Sequence, residues 1–382
     1  MSIYLDHAAS TPLLPEVVEA MAPFLTGEGA ANASSLHALG RFARAAVEEA
    51  REVIAEAMGV LPFELLFTSG GTEADNLAIK GCALAMRDRG RHLVVSAIEH
   101  HAVLRSARWL EYSEGFQVSE VAPDHEGIVH PEAVVEAMRA DTVLVSVMAA
   151  NNEVGTIQDV AAIALAVSDE GVVFHTDAVQ SFGTVPISAA AAGIAMASAS
   201  AHKLGGPKGV GCLAVRRGTP LVALLHGGGQ ERDLRAGTLN VPGIVGFAAA
   251  VRHAQGDRQE RVARIAALRD RLEVGLTQGI NGLTLNGHRV HRLPGHAHVS
   301  IPGLRGEDLL VLLDERGIAC STGAACASGA VEPSHVLVAM GLEGDLVAGS
   351  LRFSIGRQTS PEDVDSAAEA LPRIVEQLRA DR

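Results

Sequence analysis

The chain has 382 residues, 48% hydrophobic and 20% charged, with 40 glycines, a composition that suits one large globular domain and a smaller one. Its formal net charge of −14, with no Lys/Arg-rich run, argues against nucleic acid or an anionic membrane as partner. No basic stretch precedes an apolar core at the start, no segment reaches the ~20 apolar residues of a membrane span, and four cysteines are too few for a disulfide framework, so a cytoplasmic protein is expected. In chain order, β-branched apolar runs predict strands over 65–68, 92–97, 118–122, 142–148 and 172–176, near 195–198, and over 211–215. Helical periodicity between them predicts helices over 42–58, 73–87, 102–110, 131–138 and 160–167. This alternation is that of a mainly parallel sheet covered by helices on both faces. Beyond residue 240 the pattern changes to a long helical stretch, broken near Gly256 and Asp257 and running to Gln278. Strands over 296–301 and 350–355 and helices over 307–316 and 361–378 follow, which predicts a smaller α+β domain.

Three motifs carry chemistry. TSGGTEADN (68–76) follows a strand and opens a helix, where free N–H groups at Gly71 and Thr72, with the Thr72 hydroxyl, can hold a phosphate or merely cap the helix. HTDAVQS (175–181) ends another strand, at the edge where open α/β sheets bind ligands, so Asp177 and Gln180 are expected to face the same cleft. SASAHKLGGPKG (198–209) sets Lys203 after a nearly charge-free run, where a poorly solvated ammonium loses pKa and becomes an amine able to form a Schiff base. The spacing does not match a P-loop. A phosphate cup, a strand-end aspartate and such a lysine are together what pyridoxal 5′-phosphate requires: an anchor, a partner for its pyridine nitrogen, and an amine for its aldehyde.

With these motifs and IYLDHAAST (3–11), NASSLHALGR (32–41), SAIEHHAVL (96–104), NNEVGTIQD (151–159), GGGQERDLRAGTLN (227–240), ACSTGAACASG (319–329) and SLRFSIGR (350–357), the sequence resembles the cysteine desulfurases of the NifS/IscS type, class V aminotransferases, over nearly its whole length. The resemblance implies an aminotransferase-like fold (fold type I). Residues 13–257 would form the large cofactor-binding domain, and 1–12 with 258–382 the small domain carrying a catalytic cysteine loop. It implies that Lys203 binds the cofactor, Asp177 meets the pyridine nitrogen and Gln180 the ring oxygen. Thr72, Ser200 and His202 would hold the phosphate, with Thr238 of the partner subunit in a homodimer. His100 would stack on the ring and move protons, with His101 falling where many relatives carry lysine. Asn151 and Arg352 would hold the substrate, the arginine through two parallel bonds to its carboxylate. Asn32 aligns with a substrate-proximal asparagine, although Ala33 replaces the usual proline.

The two nearby cysteines divide on the same grounds. Cys320 follows Gly317-Ile318-Ala319, a short strand where cysteine packs as a small hydrophobe. Cys326 follows small residues, and the STGAAC pattern matches the family's nucleophile. Cys82 and Cys212 read as core. A metal clip is the alternative for the pair, with His288, His291, His296 and His298 as further ligands, although no metal is assigned and those histidines read as an exposed loop and strand edge. His298 stands where the family has asparagine. The implied activity converts L-cysteine to L-alanine and passes the sulfur, as a Cys326 persulfide, to an acceptor protein for iron–sulfur clusters or thio-cofactors. Family members that dock the cluster scaffold extend further beyond their last helix than this chain does. Another fold type I enzyme (a selenocysteine lyase, kynureninase or aminotransferase) and a non-catalytic sulfur carrier or metal scaffold are the competing readings.

Overall fold

The computed structural model describes residues 2–168, 171–190, 192–322 and 333–380. Its strands are β1 (Ile3–Tyr4), β2 (Leu65–Thr68), β3 (His92–Ser96), β4 (Gln117–Val121), β5 (Thr142–Ser146), β6 (Val173–Asp177), β7 (Met196–Ser200), β8 (Gly211–Val215), β9 (Thr284–Asn286), β10 (His296–Ser300), β11 (Ile318–Ala319) and β12 (Ser350–Ser354). Seven of them form one sheet in the order β2-β8-β7-β6-β5-β3-β4, in which β8 alone runs against its neighbours. The period of two divides this sheet between two cores. On β3, Val94 joins one with Ile54, Phe174 and Phe247, while Leu93 and Val95 join the other with Leu77 and Leu110.

A third core belongs to the rest of the chain. Leu5, Leu272, Leu309, Phe353 and Leu371 pack together around the antiparallel set β12-β10-β9 and the parallel pair β1-β11. The helix Arg258–Gly279 packs on this core and Val241–Gly256 on the first, and they break at Asp257, where Arg357 and Arg261 both bind the carboxylate. Among the described residues no helix is long and apolar enough to cross a membrane.

Three features differ from the pattern read in the sequence. A helix at Pro15–Leu25 was not anticipated, although Pro at its first position is a sound start signal. The helix expected over 73–87 begins at Gly71 and widens into a π-turn at Leu77–Gly81 before Cys82–Met86. The histidines expected on an exposed strand edge are a correction: His296 and His298 are buried on β10, the middle strand of its set. Only His291 of that group is exposed, and His288 is half-buried.

Candidate active site

The carboxyl ends of β6 and β7 open on a cavity of about 730 Å³, as open α/β sheets lead one to expect. Lys203 stands in the single turn Ala201–Lys203 that follows β7. Gly205, at φ +79°, lets the chain fold straight back beneath it, a conformation that L side chains rarely adopt. Lys203 Nζ donates to the carbonyls of Ala8 and, at 2.9 Å, of Ala9. Burial and then the Arg352 charge bring its amine down to about 8, against the pull of Asp177 and Asp6. An amine so placed can serve as nucleophile and base near neutral pH.

Asp177 ends β6 as a buried residue, 5% exposed, and its Oδ1 accepts the Val179 N–H at 2.8 Å. Burial raises it to about 6, while that N–H and the Lys203 charge work to keep it ionised. The opposite rim is the start of the helical run at Gly71. Ala74 N–H makes the first helical bond, to Gly70 O at 3.1 Å, which leaves the Gly71, Thr72 and Glu73 N–H groups without acceptors in the ladder. A Cβ on Gly71 would fall 2.6 Å from Val179 Cγ2, so the close approach of this turn to the Asp177 loop requires glycine. Thr72, Ser200 and His202 line the same end, and burial holds the His202 imidazole at about 4.

His100 caps the helix His101–Glu114: its Nδ1 accepts the Ala102 N–H at 3.1 Å. That bond assigns the ring proton to Nε2 in the neutral tautomer. Desolvation of the charged ring, then the charges of Lys203, His335 and Arg105, lower it to about 4, so the neutral ring is the resting form at the cavity wall. Across the cavity Arg352, in the middle of β12, donates Nη1 to Asn152 O at 2.9 Å and Nη2 to Asp6 Oδ1 at 2.8 Å.

The cavity thus brings together Lys203, His100, Gly71, Thr72, Asp177, Gln180, Ser200, His202 and Arg352. Asn151 is a correction: its Oδ1 accepts the N–H groups of Glu153 and Val154, its Nδ2 donates to Ile98 O, and Asn152 lines the cavity in its place. An Asn whose oxygen caps the N–H groups two and three residues on is occupied by its own turn, a signal that NNEV carries. Asn32 likewise spends its Oδ1 on Ser34 N–H and does not line the cavity, nor does Thr238, which is exposed in this single chain. Cys326 lies outside the described residues. Cys320 is buried in the small core, and burial pushes its thiol up to about 12. Sequence reasoning missed Asp75, Glu153, Ser334 and His335, all cavity-lining. Ser334 Oγ donates to Glu153 Oε2 at 2.5 Å, and His335 Nε2 meets Glu99 O at 2.9 Å.

The donor set fits pyridoxal 5′-phosphate. A buried carboxylate at the cavity wall is costly unless a protonated nitrogen meets it. Free N–H groups and hydroxyls gather at the far end, and a lysine of depressed pKa stands between.

Comparison with known proteins agrees. The Aminotransferase class-V family model matches residues 3–366, and the chain belongs to that family, whose cofactor is pyridoxal 5′-phosphate. Within the family its relatives are cysteine desulfurases. The chain is 47% identical over 378 residues to the "Cysteine desulfurase IscS" of Methanosarcina thermophila, covering 99% of this chain and 93% of that protein. It is also 47% identical over 382 residues to the "IscS-like cysteine desulfurase" of Mycobacterium tuberculosis, covering 98% and 97%. A solved "NifS-like protein" superposes with a TM-score of 0.92 at 38% identity, over 98% of this chain and all of that one. The fold is that of the NifS-like, fold type I enzymes.

Proposed function

We infer that the protein is a cysteine desulfurase: it converts L-cysteine to L-alanine and hands on the sulfur. The observation that carries this reading is the meeting, in one cavity, of a buried amine, a buried carboxylate and a substrate-facing arginine. Bound pyridoxal 5′-phosphate supplies an electron sink for the bonds at the substrate's α-carbon. Thr72, Ser200, His202 and the Gly71–Glu73 N–H groups hold its phosphate. Asp177 holds its ring nitrogen and Gln180 its ring oxygen.

The substrate's carboxylate is gripped by Arg352 through a planar fork, with Asn152 alongside. Lys203, as a neutral amine, takes the α-proton from the bound substrate. His100, with its proton on Nε2, manages protons at the substrate thiol. The Cys326 thiolate attacks the substrate sulfur; an S–S bond forms, the carbon–sulfur bond breaks, and the electron pair stays with the carbon fragment until protonation yields alanine. The persulfide then passes to an acceptor protein, in iron–sulfur cluster assembly or another thio-cofactor route. The reading extends to a cytoplasmic homodimer in which Thr238 of the partner subunit completes the phosphate site. The separate core around Leu272 and Phe353 supports small-domain limits of 1–12 and 258–382.

The test is alanine and sulfide release from L-cysteine, with selenocysteine as competitor. Cys326→Ala should keep the visible absorbance of the cofactor and lose at least ~100-fold in alanine formation, the scale of a removed nucleophile. Cys320→Ala, which only trims the small core, should stay within about threefold of wild type. Full activity in Cys326→Ala, or loss confined to Cys320→Ala, would overturn the assignment.

A further inference from the structure

One acid in the cavity has no role in this chemistry. Asp75, one turn into the helical run that opens at Gly71, is 1% exposed and lines the cavity. Carboxylate oxygens of Asp75 and Asp177 and a ring nitrogen of His100 all lie within 4.8 Å of one another. Asp75 Oδ1 has no hydrogen-bond partner among the described residues and stands 3.7 Å from His175 Nε2.

The groups facing Asp75 are Asp177, Glu99, His100, His175 and, beyond Asp177, Lys203. His175 lies two residues before Asp177 on β6, hence on the same face, and is fully buried, with Ser146 Oγ at 2.9 Å from Nδ1 and Ser198 Oγ at 3.0 Å from Nε2. Burial lowers it to about 3, so it brings no positive charge. His100 is neutral for the reasons given above. Glu99 accepts from Ser96 Oγ and Met148 N–H, both at 2.6 Å, and burial pushes it up to about 8. Among these described residues Lys203 is the one cation, and its charge acts on Asp177, so two buried carboxyls this near do not both ionise.

Local donors decide which one keeps the proton. Asp177 has the Val179 N–H and the Lys203 charge on its side. Asp75 has only the Ser198 hydroxyl against burial and the Asp177 charge, which together raise it well above the usual carboxylate range. We propose that Asp75 and Asp177 work as a carboxyl pair carrying one negative charge, in which Asp75 holds the proton and so positions that charge on Asp177 against the cofactor's ring nitrogen. Asp75 acts through Asp177, as a positioning residue, and the pair offers one anion to one protonated nitrogen. The proposal rests on the pyridoxal phosphate reading above.

Infrared spectroscopy of holoenzyme labelled with 13C at the aspartate carboxyl tests it. At pH 7 the wild type should show an isotope-shifted carboxylic acid C=O band, and Asp75→Asn should lack it. Asp177→Asn should weaken binding of added pyridoxal phosphate at least ~10-fold, and Asp75→Asn by less than about threefold. Absence of the band in wild type, which needs no variant to fold, overturns the proposal. So does its full survival in Asp75→Asn, or an affinity loss there equal to that of Asp177→Asn. If the protein binds no pyridoxal phosphate, the functional reading fails, and the band in the cofactor-free protein still decides the state of Asp75.

Discussion

The two walls of the cavity are built in different ways. On one, Asp177, Ser200 and Lys203 all come from the carboxyl ends of two adjacent parallel strands, β6 and β7. On the other, Arg352 comes from an antiparallel strand of the small sheet and is held by two distant segments, Asp6 near the amino terminus and Asn152 in the β5–β6 connection. The backbone of the first wall is set by one ladder of hydrogen bonds. The second is assembled wholly by the packing of the small core, which the first wall meets only at its tips, where Lys203 Nζ and Gln180 Nε2 donate to carbonyls of the amino-terminal segment.

The largest test removes the first wall's nucleophile. Lys203→Ala should cut alanine formation by at least ~10⁴-fold, since both covalent and acid–base roles go with it; a loss under tenfold would mean that the amine is dispensable. Breaking the second wall should cost less and act differently. Arg352→Gln should lower kcat/KM for L-cysteine by about 10²-fold, chiefly through KM, for the loss of charge-assisted bonds worth ~1.5–3 kcal/mol each. The visible absorbance of bound cofactor should persist, and its loss would show that the walls are not independent.

The smallest effect joins the two. Arg352 lowers the Lys203 amine and Asp6 raises it. Removing a neighbouring cation favours the ammonium, so Arg352→Gln should move the Lys203 titration above its value of about 8 in cofactor-free protein. Removing the anion disfavours the ammonium, so Asp6→Asn should move it below. NMR of 13C-labelled lysine reads both, and shifts of the same sign would contradict the electrostatic account.

How much of this was legible beforehand depends on the distance over which each residue's environment is made. The strands of the large sheet, the turn at Gly71, Asp177 at its strand end and Lys203 after its apolar run were all readable, because each lies within a few residues of the feature that positions it. His296 and His298 were misread because alternation with Ala297 on a short strand does not say which side is covered. What covers them comes from segments apart in sequence: Gly155 of the β5–β6 connection lies against His296, and Asn286 of β9 bonds His298 Nδ1 at 2.9 Å. A strand as short as β1 leaves no periodicity to find.

The asparagine pair marks the division most clearly. Strand and helix periods sufficed for the α/β class and the three motifs for the cofactor, because that chemistry demands particular side chains next to particular backbone turns, whereas the reaction was legible only through the family resemblance. Which asparagine faces the cavity, what holds Arg352, and that Asp75 stands beside Asp177 came only with tertiary structure. Burial and the nearness of charges arise from segments far apart in the chain, and those two quantities set what a titratable side chain can do.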